Sequence, residues 1–170
     1  NGDGEIFEIY EHEPASPQAP PVHSASNLVP TGYVKKIDIG YDVTSKNVSK
    51  VQALNNFNTA YLWGYNNSYP VARAVNAVAG DIAATSFESD GKGSWMFDGT
   101  SAVDPGSPTG KKGYSLASGS ITRSDLNISA NYYISYWTKN LSGNVFVNNN
   151  NGIQLMAKNG WTLYQHKVTG

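Results

Sequence analysis

The sequence predicts an all-β protein: an antiparallel β-sandwich preceded by a smaller β-rich segment. Three observations carry that expectation. Charged residues make up only 15% of the chain, against roughly 25% in ordinary soluble domains. The polarity comes instead from Asn, Gly, Ser and Thr, which suit turns and strand faces. From Ile82 onward, short β-branched and aromatic runs recur at near-regular spacing between Gly, Asn, Asp and Pro clusters, the rhythm of stacked antiparallel strands. No long Ala-, Glu-, Lys- and Leu-rich stretch offers a competing helix.

In chain order, Glu5-Ile6-Phe7-Glu8-Ile9-Tyr10-Glu11 reads as a strand centred on Ile6 and Phe7, and residues 1–13 as the edge strand of an upstream β domain. Residues 14–30 hold five of the eight prolines; proline cannot donate to a ladder and favours extended polyproline geometry, so this is a linker or surface crossover. Residues 31–80 form a second β segment. In it, Tyr33 to Val43 alternates Tyr33, Lys35, Ile37 and Ile39 with Val34, Lys36, Asp38 and Gly40, as a half-buried strand does. Asn47 to Phe57 admits a short helix or two short strands, because Val48, Val51 and Leu54 repeat at helical spacing while both valines are β-branched. Thr59 to Ala77 reads as two apolar strands around an Asn66-Asn67-Ser68 turn. Gly64 marks a bulge or close backbone approach, and Pro70 confines its strand to an edge or a strand start. Residues 81–170 carry the sandwich rhythm: strands are expected in IAATSFE, GSWMFDG, KKGYSLASGSITRS, NYYISYWTK, NVFVN and GIQLMAKNGWTLYQHKV, with a tight polar turn at Asn148 to Asn151.

Composition narrows the function. A chain of 170 residues can bury about 70% of its unfolded surface in one core, or divide into two units. A net charge of −1 and a pI near 6.3 give no overall footprint for a polyanion, which argues against a nucleic-acid partner. With no cysteine and three scattered histidines, His12, His23 and His166, neither disulfides nor a local zinc motif is available. The absence of an apolar run of about 18 residues or of a basic-then-apolar leader implies no transmembrane segment, and any export signal would lie outside this sequence. The four Asn-x-Ser sequons at Asn47, Asn66, Asn127 and Asn140 arise from an Asn- and Ser-rich composition.

Two runs of motifs carry a family resemblance covering most of the chain after Thr31. Tyr61 to Ala77, YLWGYNNSYPVARAVNA, resembles the strand pair found near the end of large YD-repeat (RHS-like) surface proteins of Gram-negative bacteria that use type IX secretion. Further on, Thr85-Ser86-Phe87-Glu88, Gly93-Ser94-Trp95, Gly113-Tyr114-Ser115-Leu116, Tyr132 to Lys139 and Gly160-Trp161-Thr162-Leu163-Tyr164 resemble, in order, signatures of a galactose-binding-like or carbohydrate-binding-module-like jelly roll. The resemblance implies that 81–170 is such a jelly roll without its last strand, since the expected final Ile-Asp strand does not follow before Val168-Thr169-Gly170. It also implies an extracellular or cell-surface protein exported through the outer membrane.

The resemblance further implies a structural calcium at Glu88, assisted by carbonyls around Gly110 and Lys112. Against it stands the plainer reading that Glu88 caps a strand or pairs with a lysine, because calcium needs six to eight oxygens. The resemblance turns Tyr132, Ile134, Tyr136 and Thr138 inward. Strand alternation then leaves Tyr133, Ser135, Trp137 and Lys139 on the opposite face, where Tyr133 and Trp137 could stack on a sugar ring and Ser135 and Lys139 bond its hydroxyls. The competing reading covers this face with a neighbouring domain. Trp95 and Trp161 read as core anchors.

No catalytic constellation emerges. Glu88 and Asp90 have no glycosidase-like companion pair, His166 has no Gly-x-Ser-x-Gly elbow to serve, and Gly91-Lys92-Gly93-Ser94 lacks the spacing and helix of a phosphate loop. The expectation is a non-catalytic binding or scaffold segment that requires no cofactor. Its partners would be the remainder of its parent polypeptide, a glycan, or secretion and outer-membrane proteins. The alternatives are a structural domain packing on its parent or on the type IX machinery as cargo, and an accessory module of a polysaccharide-degrading enzyme.

Overall fold

The computed structural model describes residues 5–13, 29, 32–139 and 146–169. Its regular structure is almost entirely β, in antiparallel sheets, with two single-turn 3₁₀ helices at Ala79–Asp81 and Leu116–Ser118. The proline-rich segment at 14–30 lies, Val29 apart, outside the described residues. Two compact units are present: the chain up to Trp63 with Pro70–Ile82, and Gly64–Tyr69 with the chain from Ala83 onward.

The first unit holds all but the β4–β5 tip of a five-stranded meander, β1 (Glu8–His12), β2 (Tyr33–Tyr41), β3 (Val48–Ala53), β4 (Thr59–Gly64) and β5 (Tyr69–Val75), in that spatial order. The segment expected to be an edge of some upstream domain is instead the edge of this sheet, Glu8 opposite Asp38 and His12 opposite Tyr33. Its strand begins later than expected, leaving Ile6 and Phe7 before it and exposed. The ambiguous 47–57 stretch resolves as β3, because pairing with both β2 and β4 satisfies backbone groups that a short isolated helix would leave to water. Asn and Asp shape the turns. Asp42 Oδ1 accepts the N–H groups of Thr44 and Ser45 at 3.1 and 2.7 Å, which holds its carboxyl below the usual range, and Asn66 and Asn67 take left-handed φ of 54° and 60°. Pro70 sits on the edge strand β5, where the lack of an N–H is tolerated. Trp63 donates its indole N–H to the Val48 carbonyl at 2.8 Å, tying β4 across β3.

The second unit contains β6 (Ala102–Val103) paired with β7 (Lys112–Gly113), β8 (Asn131–Lys139), the hairpin of β9 (Phe146–Val147) and β10 (Asn150–Asn151), and β11 (Ile153–Lys158) with β12 (Trp161–Thr169). β8, β12 and β11 make a three-stranded sheet with β12 central. The polar turn expected at Asn148 to Asn151 is the β9–β10 turn, with φ of 49° and 62° at Asn148 and Asn149, the left-handed pair a two-residue hairpin requires.

The strands expected in IAATSFE and GSWMFDG do not form; the nearest to one is a single bridge between Met96 and Thr122. Left-handed residues interrupt both runs, Phe87 at φ 64°, Gly93 at 58°, Ser94 at 67° and Gly99 at 81°, and an extended ladder cannot pass through them. Apolar character is spent on a local cluster instead. Phe87 and Tyr114 stack with centroids 5.8 Å apart, and Phe97 meets both edge-on. Gly93 is required where it is, since a Cβ there would fall onto the Ala84 carbonyl, 2.6 Å from its carbon.

Candidate ligand-binding face

Cross-strand register assigns side chains to the two faces of the β11–β12–β8 sheet, because directly opposed residues project to the same side. One face carries Tyr132, Ile134, Tyr136 and Thr138 opposite Val168, His166, Tyr164 and Thr162. This is the more enclosed face: His166 is 1% and Val168 5% exposed.

His166 is its pivot. Nδ1 lies 3.1 Å from the Asn150 carbonyl oxygen, which can only accept, so Nδ1 carries the hydrogen; Nε2 then accepts the Tyr136 hydroxyl at 2.8 Å. The Tyr136 ring stacks on His166 and on Tyr164, with centroids 5.5 and 6.2 Å apart. Burial, with a smaller contribution from Tyr164, pushes the Tyr136 phenol up to about 12. Gly152 lets the chain pass over this ring, since a Cβ there would lie 2.7 Å from Cε1 and nearer still to Nε2.

The opposite face is the candidate site. Four rows cross it: Lys158, Trp161 and Lys139; Met156, Leu163 and Trp137; Ile153, Gln165 and Ser135; Lys167 and Tyr133. The six-residue span from Trp161 to Lys167 makes it about 20 Å long, and three strands make it about 10 Å wide. All four residues expected from strand alternation therefore share one face. Tyr133 is 67% exposed, Ser135 is exposed and Trp137 is half-buried.

Lys139 differs from its expected role. Its Nζ donates to Asp104 Oδ2 at 2.8 Å and lies 5.7 Å from the Trp161 ring centroid. That ion pair, with the Gly106 N–H as a second donor, holds the Asp104 carboxyl below its ordinary range. Trp161 packs toward Gly113, where an added Cβ would sit 3.4 Å from its ring, so this end of the face meets the β6–β7 hairpin. The expectation missed Lys158, Gln165 and Lys167, which reach the face through the pairing of β12 with β8 and of β11 with β12; the alternation of Trp161, Leu163, Gln165 and Lys167 was the available signal for the two on β12.

Glu88 does lie beside Gly110, where a Cβ would be 2.5 Å from Oε1, but that oxygen accepts the Lys111 N–H at 2.7 Å. Among the described residues no three His, Cys, Asp or Glu side chains gather to hold a metal, so a calcium ion here would depend on carbonyl oxygens beside this one carboxylate. Asp90, the second carboxylate weighed for glycosidase chemistry, accepts the Asn66 N–H through both oxygens at 3.1 Å.

Fold and face together define an all-β protein that presents a partly aromatic sheet surface, open at its Tyr133 end and met by β6–β7 at its Trp161 end. No protein-family model, curated protein or solved structure matches this chain. No helix among the described residues is long and apolar enough to cross a membrane.

Proposed function

We propose that this chain is a non-catalytic recognition segment of a secreted or cell-surface bacterial protein, and that the open face of the β11–β12–β8 sheet binds carbohydrate. The observation that carries the reading is the 67%-exposed Tyr133 ring, on the same strand face as Trp137 and Ser135 and beside Gln165. A flat sheet presenting aromatic planes between amide and hydroxyl groups suits a sugar, whose C–H faces stack and whose hydroxyls bond. The YD-repeat and jelly-roll resemblance supports the export and cell-surface setting. Affinity electrophoresis through gels containing polysaccharides tests the reading: a retaining glycan should lose hold of Tyr133→Ala and Trp137→Ala, and mobility unchanged by every polysaccharide would end it.

A structural reading has its own support. All six residues of β11 are exposed, including Ile153 at 70%, Leu155 at 51% and Met156 at 52%, and an apolar edge strand invites a covering surface. If this chain packs on its parent polypeptide or on export machinery, hydrogen exchange across Ile153–Lys158 should be slower in the longer polypeptide than in this chain alone. An accessory role to a polysaccharide-degrading enzyme would require a glycosidase domain in the same gene.

A further inference from the structure

The charge on the candidate face is unlike that of the chain as a whole. Overall, 13 acidic side chains outnumber 12 basic ones. β8, β11 and β12 contain no Asp or Glu at all, while each contributes one lysine, Lys139, Lys158 and Lys167. Register puts all three on the aromatic face, Lys158 and Lys139 flanking Trp161 at one end and Lys167 beside Tyr133 at the other. Lys139 is neutralised by Asp104. Lys158 and Lys167 are exposed and take no part in the ion pairs found among the described residues.

Resting on the carbohydrate reading above, we propose that the ligand is an acidic polysaccharide, whose carboxylate or sulfate groups are met by Lys158 and Lys167 while its rings stack on Tyr133 and Trp137. The two ammonium groups lie at opposite ends of a strip about 20 Å long, so they fit an extended chain with repeating negative charge better than a single small anion. A neutral glycan would leave both lysines without a role. The absence of any carboxylate from the three strands removes the repulsion that an anionic chain would otherwise meet.

The test is affinity electrophoresis in gels containing polygalacturonate, neutral galactan or single-stranded DNA, with the wild-type chain, Lys158→Gln/Lys167→Gln and Tyr133→Ala. The expected result is retention by polygalacturonate that weakens about tenfold in the double-lysine variant, roughly threefold for each exposed charge pair lost, and falls with added salt. Both lysines are exposed, so an unchanged melting temperature confirms that the variant is folded. Retention by galactan alone, or retention by polygalacturonate that ignores the lysine substitutions but is lost with Tyr133→Ala, overturns the acidic specificity and leaves the glycan reading standing. Equal retention by DNA, insensitive to Tyr133→Ala, overturns it in favour of unselective polyanion exchange. No retention by any polysaccharide sinks both readings together.

Discussion

Replacing Gly152 with alanine probes the His166 pivot directly. The added methyl would stand 2.7 Å from Cε1 and 3.1 Å from Cδ2 of a ring that is 1% exposed. The ring cannot swing away cheaply, because Tyr136 holds one nitrogen at 2.8 Å and Asn150 the other at 3.1 Å. Either the imidazole moves and both bonds lengthen, or the β10–β11 connection lifts off β12. Overpacking costs about 1–3 kcal/mol and a lost hydrogen bond about 1 kcal/mol more, so a loss of roughly 2–4 kcal/mol is expected. At about 2–4 °C per kcal/mol for a chain of this size, the melting temperature should fall by roughly 4–16 °C. Circular dichroism melts of Gly152→Ala, His166→Ala and the double variant close a cycle in which most of the glycine substitution's cost should vanish once the imidazole is gone. A melting temperature within about 1 °C of wild type, a shift worth no more than about 0.5 kcal/mol, or the same loss in both backgrounds, would refute the argument.

Three further outcomes follow from the same packing. Gly93→Ala combines a left-handed φ of 58° with a collision at the Ala84 carbonyl and should cost more than about 3 kcal/mol, seen as loss of the cooperative melt of the second unit; a soluble variant with a native melting curve would contradict it. Glu88→Ala should lose no more than about 0.5–1 kcal/mol, because the Lys111 N–H that it releases is exposed and turns to water, whereas Glu88→Gln, which keeps an acceptor oxygen, should stay close to wild type and EGTA should leave the melting temperature unmoved; a chelator-dependent drop would support the calcium reading. Tyr136 has a phenol raised to about 12 by burial, so folding favours its neutral form: that contribution is complete below the ordinary tyrosine value of 10.0 and is lost as the pH climbs toward 12. Melts across that alkaline range should fall more gently for Tyr136→Phe, and parallel curves would show that the phenol is not the cause.

The candidate face was partly legible before any coordinates. Period-two alternation in Tyr132 to Lys139 was enough to group Tyr133, Ser135, Trp137 and Lys139, because a strand's side chains alternate whatever its neighbours are. What alternation could not supply was the neighbours. Lys139 was expected to contact a ligand, yet its charge is taken up by Asp104, 35 residues earlier in the chain. Alternation groups Lys167 with Trp161, Leu163 and Gln165 but does not say that they share a face with Tyr133, and Lys158 joins that face only because β11 pairs with β12.

By itself the sequence determined the β class, the Asn-rich turns, the confinement of Pro70 to an edge or a strand start and the faces of β8, all of which depend on local backbone preference or on the two-residue period of a strand. Only the tertiary structure decided that Asn47 to Phe57 contains a strand, that the runs around Phe87 and Trp95 coil into an aromatic cluster, and that Glu88 spends its carboxylate on a backbone N–H. It also decided that His166 is the buried centre of the enclosed face. Those outcomes turn on which distant backbone groups meet, and long-range pairing leaves no periodic trace in the residues that undergo it.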